Sequence, residues 1–186
     1  MSIGIRTRLS EDMSADKKQA LLQVVARIPM FTGLGRENTA LVVEACEFRT
    51  VEKGAVICKI KEPSDELSIL LSGKLSVSND KNVEIASLAP VTPVGEMGLF
   101  TGQPRSATVR AVEKCTLLVL KKAAFESLMR QTPAMSRPVY RNVVQTLQQR
   151  LVESRRQRDV SRRDVDELEA KLASMREETE KLRGGA

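Results

Sequence analysis

A glycine-rich run between residues 95 and 111 carries side chains suited to binding a phosphate and a sugar. Gly95 and Gly98 allow the backbone to turn tightly and to approach a ligand closely, and Arg105 offers a planar set of donors that fits a phosphate. Glu96 lies in an otherwise apolar stretch, where an unpaired charge is costly and a sugar hydroxyl is a suitable partner. The pattern predicts a site in which one acid binds a sugar and one arginine binds a phosphate.

The same run resembles the phosphate-binding cassette of the cyclic nucleotide-binding domain, which occurs in catabolite activators, cAMP-dependent kinase regulatory subunits and cyclic nucleotide-gated channels. Three flanking segments also resemble the family: residues 28–34, 67–75 and 117–120. The resemblance implies that Glu96 binds the ribose 2′-hydroxyl and that Arg105 binds the phosphate. It also implies ligand contacts at further positions of the cassette: Gly95, Met97, Gly98, Ser106 and Ala107.

One loop departs from the family pattern, and the cassette has an alternative interpretation. Family members usually carry a glycine-containing turn before the middle strand, whereas residues 61–66 contain no glycine, and we expect this loop to be remodelled while the cassette is unaffected. The alternative for the cassette itself is a relic that binds no ligand. In that case Arg105 is a surface ion-pair partner of Glu96 or Glu113.

The composition excludes several classes of function. The 186 residues include no His, which removes the usual general base and the most common metal ligand, so we expect neither an enzyme nor a metal site. Aromatic residues make up 3% of the chain, too few for the stacking platforms of single-stranded nucleic acid binding. Three widely spaced cysteines lie beside apolar residues and are predicted to be buried and reduced: Cys46, Cys58 and Cys115.

Between residues 49 and 120 the sequence consists of short apolar runs broken by Gly, Pro, Asn and Asp. Such spacing is typical of an antiparallel β-barrel or jelly roll. Helices are expected around it, at about 14–28 with Ser14 as N-cap, 36–47 and 121–131. We therefore expect a mainly β domain with flanking helices at 14–137, after a flexible N-terminal segment at 1–13.

From residue 138 the apolar residues follow a heptad repeat, which predicts a long coiled-coil helix at 138–183 before a short tail at 184–186. The a positions are Val144, Leu151, Arg158, Val165, Leu172 and Thr179. The d positions are Tyr140, Leu147, Ser154, Ser161, Leu168, Met175 and Leu182. A register of this length favours a homodimer, which family members commonly form through the helix after the barrel, and a single long surface helix is the alternative.

Polar residues interrupt the apolar seam at Ser154, Arg158 and Ser161. The family resemblance implies that the nucleotide base is contacted near this part of the helix, by Ser154 or Arg155. The alternative is a solvated run of charges stabilised by pairs four residues apart, such as Arg155 with Asp159.

The polar interruption is followed by a second, distal seam at Val165, Leu168, Leu172 and Met175. The charges beside this distal seam do not suit a simple parallel pair. Parallel pairing would place Asp164 against Glu169 and Lys171 against Arg176, both like-charged, and only Glu178 against Arg183 would be favourable. Antiparallel pairing would instead bring Asp164 near Lys171 and Glu169 near Arg176. We therefore expect at least a dimer, and the two seams also permit a tetramer.

The sequence as a whole predicts a cytoplasmic receptor for a cyclic nucleotide that signals through its coiled-coil tail to a separate, unidentified partner protein. Among relatives, Thr after the cassette arginine often accompanies cGMP preference, so Ser106 favours cAMP, with cGMP as the alternative. We expect no membrane span, because no stretch contains 18 apolar residues, and no helix-turn-helix domain for DNA.

Two other classes of function remain open at this point. In the first, the barrel is a ligand-free adaptor and the coiled coil assembles a complex. In the second, the arginines between residues 150 and 163 bind nucleic acid. The net charge of +6 is compatible with the second class, but Glu153, Asp159 and the acidic stretch 164–180 interrupt any continuous basic face.

Overall fold

The computed structural model describes the backbone of residues 6–8 and 14–184, and side chains from residue 14 to residue 175. The chain divides into two compact units, Met1–Asn142 and Val143–Ala186. The positions predicted at Thr179 and Leu182, and the pair of Glu178 with Arg183, lie outside the described side chains.

Two antiparallel sheets form the body of the first unit. Their strands, in the described part of the chain, are β1 (Arg6–Arg8), β2 (Glu47–Val51), β3 (Val56–Cys58), β4 (Glu66–Ser72), β5 (Leu75–Ser78), β6 (Glu84–Leu88), β7 (Pro93–Val94), β8 (Thr108–Ala111) and β9 (Cys115–Lys121). One sheet has the order β1-β2-β9-β4-β7 and the other the order β3-β8-β5-β6. This jelly-roll-like arrangement confirms the predicted mainly β fold, as two separate sheets rather than a closed barrel.

The two central strands explain why the sequence reads as apolar runs rather than as alternation. In β9 the four residues 117–120 are all fully buried, and in β4 the residues 67–70 are nearly so. Successive side chains of a strand point to opposite faces. Leu117 and Val119 therefore join the core between the sheets, while Leu118 and Leu120 face the other side, where helices cover the sheet.

Five α-helices and one 3₁₀ turn accompany the sheets in the described residues. They are α1 (Ala15–Ala26), the turn Pro29–Phe31, α2 (Gly35–Glu44), α3 (Glu96–Thr101), α4 (Lys122–Gln131) and α5 (Pro133–Gly184). Ser14 is the N-cap of α1, but its side chain forms no capping hydrogen bond. Strands β1 and β7 and helix α3 were not predicted, and β1 lies in the segment expected to be flexible.

The start of α5 belongs to the first unit. Met135 and Val139 are fully buried, and the Asn142 side-chain amide donates to the carbonyl oxygen of Thr32 at 2.7 Å. Pro138 lies inside the helix rather than at its beginning. The first unit consequently ends at Asn142 instead of at residue 137, the expected boundary.

All three cysteines are free and buried, as predicted. Burial raises the pKa of Cys46 to about 12, and it also raises the pKa values of Cys58 and Cys115. A buried thiol is less readily ionised because the thiolate loses its hydration.

We expect the free energy of unfolding to fall as the pH rises above about 9. The unfolded thiols ionise near their ordinary pKa, whereas the folded thiol of Cys46 stays protonated until about pH 12, so rising pH favours the unfolded state across this range. Urea denaturation at a series of pH values measures the effect. The fall should be smaller in Cys46→Ala, and an identical pH dependence in the variant would contradict the assignment.

Candidate functional site

Helix α3 carries the first half of the predicted cassette, and two glycines set its limits. The helix follows β7, which pairs with β4 through Val94 and Ser68. Gly95 is its N-cap with φ of 90°, and Gly102 is its C-cap with φ of 65°. Both angles lie in the left-handed region that favours glycine. The two glycines therefore allow sharp backbone turns at both ends of this six-residue helix.

Arg105 is the central side chain of the site. It is 8% exposed, and its Nη2 donates to the backbone carbonyl oxygen of Glu66 at 2.7 Å. Its Nε and Nη1 atoms are buried and have no hydrogen-bond partner. Burying a charged group with unsatisfied donors is costly, by about 1–3 kcal/mol for each unsatisfied group or more. An oxyanion placed against these two nitrogens would remove that cost.

The position of Gly95 explains why a glycine stands before the acid of the cassette. A Cβ atom at this residue would overlap Arg105 Nη1 and would lie 2.6 Å from its Cζ. The same atom would lie 2.8 Å from the carbonyl oxygen of Glu66. The backbone at Gly95 and the guanidinium of Arg105 thus occupy adjoining space that leaves no room for a side chain.

The loop at residues 61–66 contacts the cassette directly. The Lys61 N–H donates to the Arg105 carbonyl oxygen, and the Arg105 N–H donates to the Glu62 carbonyl oxygen, both at 2.8 Å. Lys61 has φ of 68°, the left-handed conformation that a glycine would adopt without strain. The turn is therefore formed without the glycine that relatives usually carry.

Ser64, in the same loop, approaches α3 from the other side. A Cβ atom at Gly98 would overlap the Ser64 side chain, and the Ser64 hydroxyl is buried with no hydrogen-bond partner. The small residue at position 98 therefore allows the helix to pack closely on the loop. This contact was not predicted, because only the folded chain brings the two segments together.

Arg49 and Glu66 form an ion pair beside the site that no local sequence pattern predicts. Arg49 Nη1 and Nη2 donate to the two carboxylate oxygens of Glu66 at 2.6 and 2.7 Å, and both side chains are largely buried. The hydrogen bonds to Glu66 raise the pKa of Arg49, although burial opposes this shift. The pair fixes Glu66, whose carbonyl oxygen in turn holds Arg105. No local motif joins residues on β2 and β4, which both pair with β9.

The other predicted contact positions differ in their exposure. Glu96 and Met97 are half-buried in the first turn of α3, and Gly98 is buried. Ser106 is exposed, and Ala107 is half-buried with its carbonyl oxygen accepting from the Cys58 thiol at 3.8 Å. Ser154 and Arg155 are exposed on α5, in the second unit, and their contact with the base stays a prediction.

The alternative role for Arg105, a surface ion pair with Glu96 or Glu113, is wrong. The guanidinium is buried and its one hydrogen bond goes to a backbone carbonyl. Within residues 14–175, Arg105 forms no ion pair. The site therefore offers a buried cation with two unsatisfied donors, an arrangement suited to binding an oxyanion.

A sequence profile described as the cyclic nucleotide-binding domain matches residues 48–132, which include all of this site in the first unit. This stretch of the chain therefore matches the cyclic nucleotide-binding domain. The chain is 29% identical to the solved catabolite activator protein of Thermus thermophilus, with a TM-score of 0.61, over 71% of this chain and 62% of that one. The predicted family and fold are confirmed.

Relatives of this domain include channel and kinase proteins. Over 114 residues the chain is 41% identical to a cyclic nucleotide-gated potassium channel of Mesorhizobium japonicum, a match that covers 61% of this chain and 31% of the channel. The regulatory domain of Toxoplasma gondii PKA, solved with cAMP, shares the fold at 23% identity and a TM-score of 0.59, over 63% of this chain and 46% of that one. The chain spans about a third of the length of the curated channels it matches. In the described part of the chain, no helix is both long and apolar enough to cross a membrane.

We expect Gly95→Ala to lower the free energy of unfolding by at least about 1 kcal/mol more than Gly102→Ala. Both substitutions place a side chain in left-handed backbone, which costs roughly 1–2 kcal/mol. Only the Cβ at position 95 also collides with Arg105, because the Cβ at position 102 meets nothing closer than Lys122 Nζ at 4.0 Å. Urea denaturation measures both variants. Adding Arg105→Ala to Gly95→Ala should recover the excess, and equal losses in the two single variants would contradict the contact.

Proposed function

We propose that the protein is a cytoplasmic receptor, not an enzyme, whose cassette binds cAMP. The observation that carries this proposal is the buried guanidinium of Arg105 with two unpartnered nitrogens. The cyclic phosphate of a nucleotide supplies acceptor oxygens for both nitrogens and neutralises the buried charge. The match of residues 48–132 to the cyclic nucleotide-binding domain supports this choice of anion.

Glu96 binds the ribose 2′-hydroxyl in this proposal, and the cassette backbone completes the site. Glu96 immediately follows Gly95, which lies against the Arg105 guanidinium. The acid and the arginine therefore belong to adjoining parts of the cassette. Met97, Gly98, Ser106 and Ala107 supply the backbone that surrounds the phosphate. No metal is needed, since the arginine alone provides the opposing charge. Ser154 or Arg155 contacts the base.

The preference for cAMP rests on Ser106, the residue after the cassette arginine, and on solved neighbours whose structures contain cAMP. Ser106 is exposed, so its hydroxyl is accessible to a ligand in the cassette. cGMP is the alternative ligand.

Aromatic contacts provide a path from the cassette to α5. Phe100, on α3, packs edge-on against Phe125 of α4 with ring centroids 5.3 Å apart. It also packs edge-on against Tyr140 of α5 at 6.3 Å. A ligand that binds against Arg105 displaces α3, which carries Phe100, and thereby changes the packing of Tyr140. Differential binding to two positions of α3 is the free energy that drives such a switch.

The output of the receptor is the coiled coil formed by α5. The helix associates as a homodimer and transmits the conformational change to a separate partner protein. Support comes from apolar a and d positions of the second unit that are about half exposed, including Val144 and Leu151. A ligand-free assembly adaptor is the competing function, because the same exposed positions would serve it equally well. Calorimetry with cAMP separates the two, since an adaptor gives no binding heat.

We expect Arg105→Ala to weaken cAMP binding by at least about 1.5 kcal/mol, or more than tenfold in the dissociation constant. The variant should remain folded, because the lost bond to Glu66 is offset by the removal of two unsatisfied buried nitrogens. Isothermal titration calorimetry measures the affinity and urea denaturation the stability. Arg110→Ala, which removes an exposed arginine from β8, is the matched control and should bind normally.

Glu96→Gln should weaken cAMP binding less than Arg105→Ala does, since the amide oxygen still accepts a hydrogen bond from the ribose. If the folded Arg105→Ala variant bound cAMP with unchanged affinity, the cassette would be excluded as the binding site.

We expect cAMP to displace a fluorescent cyclic nucleotide at lower concentration than cGMP does, and Ser106→Thr to narrow that difference. The reason is the association of Thr at this position with cGMP preference among similar proteins. Competition titrations of both nucleotides against the original chain and the variant measure the two ratios. Tighter binding of cGMP to the original chain would reverse the assignment.

A further inference from the structure

The distal half of α5 presents an apolar stripe to solvent. Four a and d residues are between 51% and 63% exposed: Val165, Leu168, Leu172 and Met175. Four large apolar side chains at heptad spacing on one helix form the seam of a coiled coil. Exposure of such a seam in one chain indicates that another helix covers it, and the neighbouring charges identify that helix.

The charges flanking the stripe oppose a parallel copy of the same helix. Asp164 and Lys171 stand at g positions, and Glu169 at an e position. In a parallel pair each g residue faces the next e residue of the other chain. Asp164 then faces Glu169, and Lys171 faces Arg176, so every such contact in this segment brings like charges together.

Reversing one helix brings g residues to g residues and e residues to e residues, and the charges then select the register. One antiparallel register places Leu168 opposite Leu172 of a second copy and makes every layer of the stripe apolar. The same register sets Lys171 against Lys171 and Glu169 against Glu169 of the copy. Like charges therefore oppose this register on both sides of the seam.

The register shifted by one heptad keeps an apolar centre. It places Val165 opposite Leu168 of the copy in two symmetric central layers. In the next layer outward Leu172 lies opposite Ser161, whose small side chain leaves space for the leucine. The polar interruption of the seam at Ser161 is therefore compatible with this pairing.

Within residues 161–172 the shifted register also makes the flanking charges attractive. Asp164 faces Lys171 of the copy, and Arg162, rather than the expected Arg176, faces Glu169. Each contact occurs twice because the pair is symmetric, which gives four pairs of opposite charge. Lys171 already pairs with Glu167 of its own helix at 2.7 Å, and in this arrangement it stands between two carboxylates.

We propose that the segment 161–172 of α5 is a docking surface for a second copy of the same segment in antiparallel orientation. The contact does not use Val144 and Leu151 of the proximal seam. It therefore joins two dimers into a tetramer, which rests on the proposed proximal dimer but not on nucleotide binding.

Charge reversal at the two g positions tests the orientation in the full chain. Asp164→Lys and Lys171→Asp each place like charges in the antiparallel contact, and each creates an attractive pair in a parallel contact. The antiparallel proposal predicts that either variant weakens tetramer formation by roughly tenfold in sedimentation equilibrium, since two exposed ion pairs become repulsive. Stronger association of the variants would establish the parallel arrangement and overturn the proposal.

Mixing the two variants gives the sharpest result. In a mixed antiparallel pair the lysine introduced at position 164 faces the aspartate introduced at position 171, and the unchanged Lys171 and Asp164 face each other. A mixture of the Asp164→Lys and Lys171→Asp chains should therefore form tetramers more strongly than either variant does alone. Native mass spectrometry distinguishes mixed from uniform tetramers by mass.

A matched control separates the seam from the overall charge of the helix. Asp166→Lys makes the same charge change as Asp164→Lys at a b position away from the seam, and it should leave the tetramer intact. Equal weakening in this control, no change in the two g-position variants, or no mixed species would overturn the proposal.

Nucleotide affinity should be the same in all three variants, because none of the residues lies in the cassette. A tetramer that behaves as expected in a chain that does not bind cAMP would leave the docking surface in place and refute only the receptor function. A monomer in the original chain at micromolar concentration would refute the docking surface and leave the cassette untouched.

Discussion

The buried guanidinium of Arg105 determines how the surrounding segments are arranged. Because its charge lies away from water, its donors need acceptors, and the Glu66 carbonyl supplies one at 2.7 Å. That carbonyl is held in place by β4 and by the ion pair of Glu66 with Arg49. The close approach of the guanidinium also requires a glycine at position 95. The cassette, the preceding loop and the central sheet are thus parts of one arrangement around a single cation.

The two unsatisfied nitrogens of Arg105 make this arrangement unfavourable for folding and favourable for binding an anion. Replacing an unsatisfied buried charge by an apolar group is often neutral or stabilising, so stability alone does not explain an arginine here. A phosphate that accepts from both nitrogens regains the desolvation cost as binding free energy. The rigid part of the site is Glu66 in β4, whereas α3 is a six-residue helix between two left-handed glycines. Arg105 therefore lies between a central strand and a short helix with a glycine at each end.

Local patterns were sufficient to predict the sheets and the cassette, but not the contacts between distant segments. The apolar runs at β4 and β9 and the spacing of Gly95 and Arg105 are visible in any short window of sequence. The ion pair of Arg49 with Glu66 joins different strands, and the loop at 61–66 meets Arg105 only in the folded chain. Helix α3 was missed because six residues are too few to show a helical period.

The heptad pattern illustrates a further limit, because it assigns a position to a side chain without saying what covers it. Tyr140 occupies a d position, yet its ring packs against Phe100 within the first unit. The seam predicted from the heptads would therefore begin after Asn142, where that unit ends. Pro138 lacks the N–H that would bond to the preceding turn, so α5 has one backbone hydrogen bond fewer two residues before Tyr140. The heptad assignment therefore describes the helix only beyond the part that packs within the first unit.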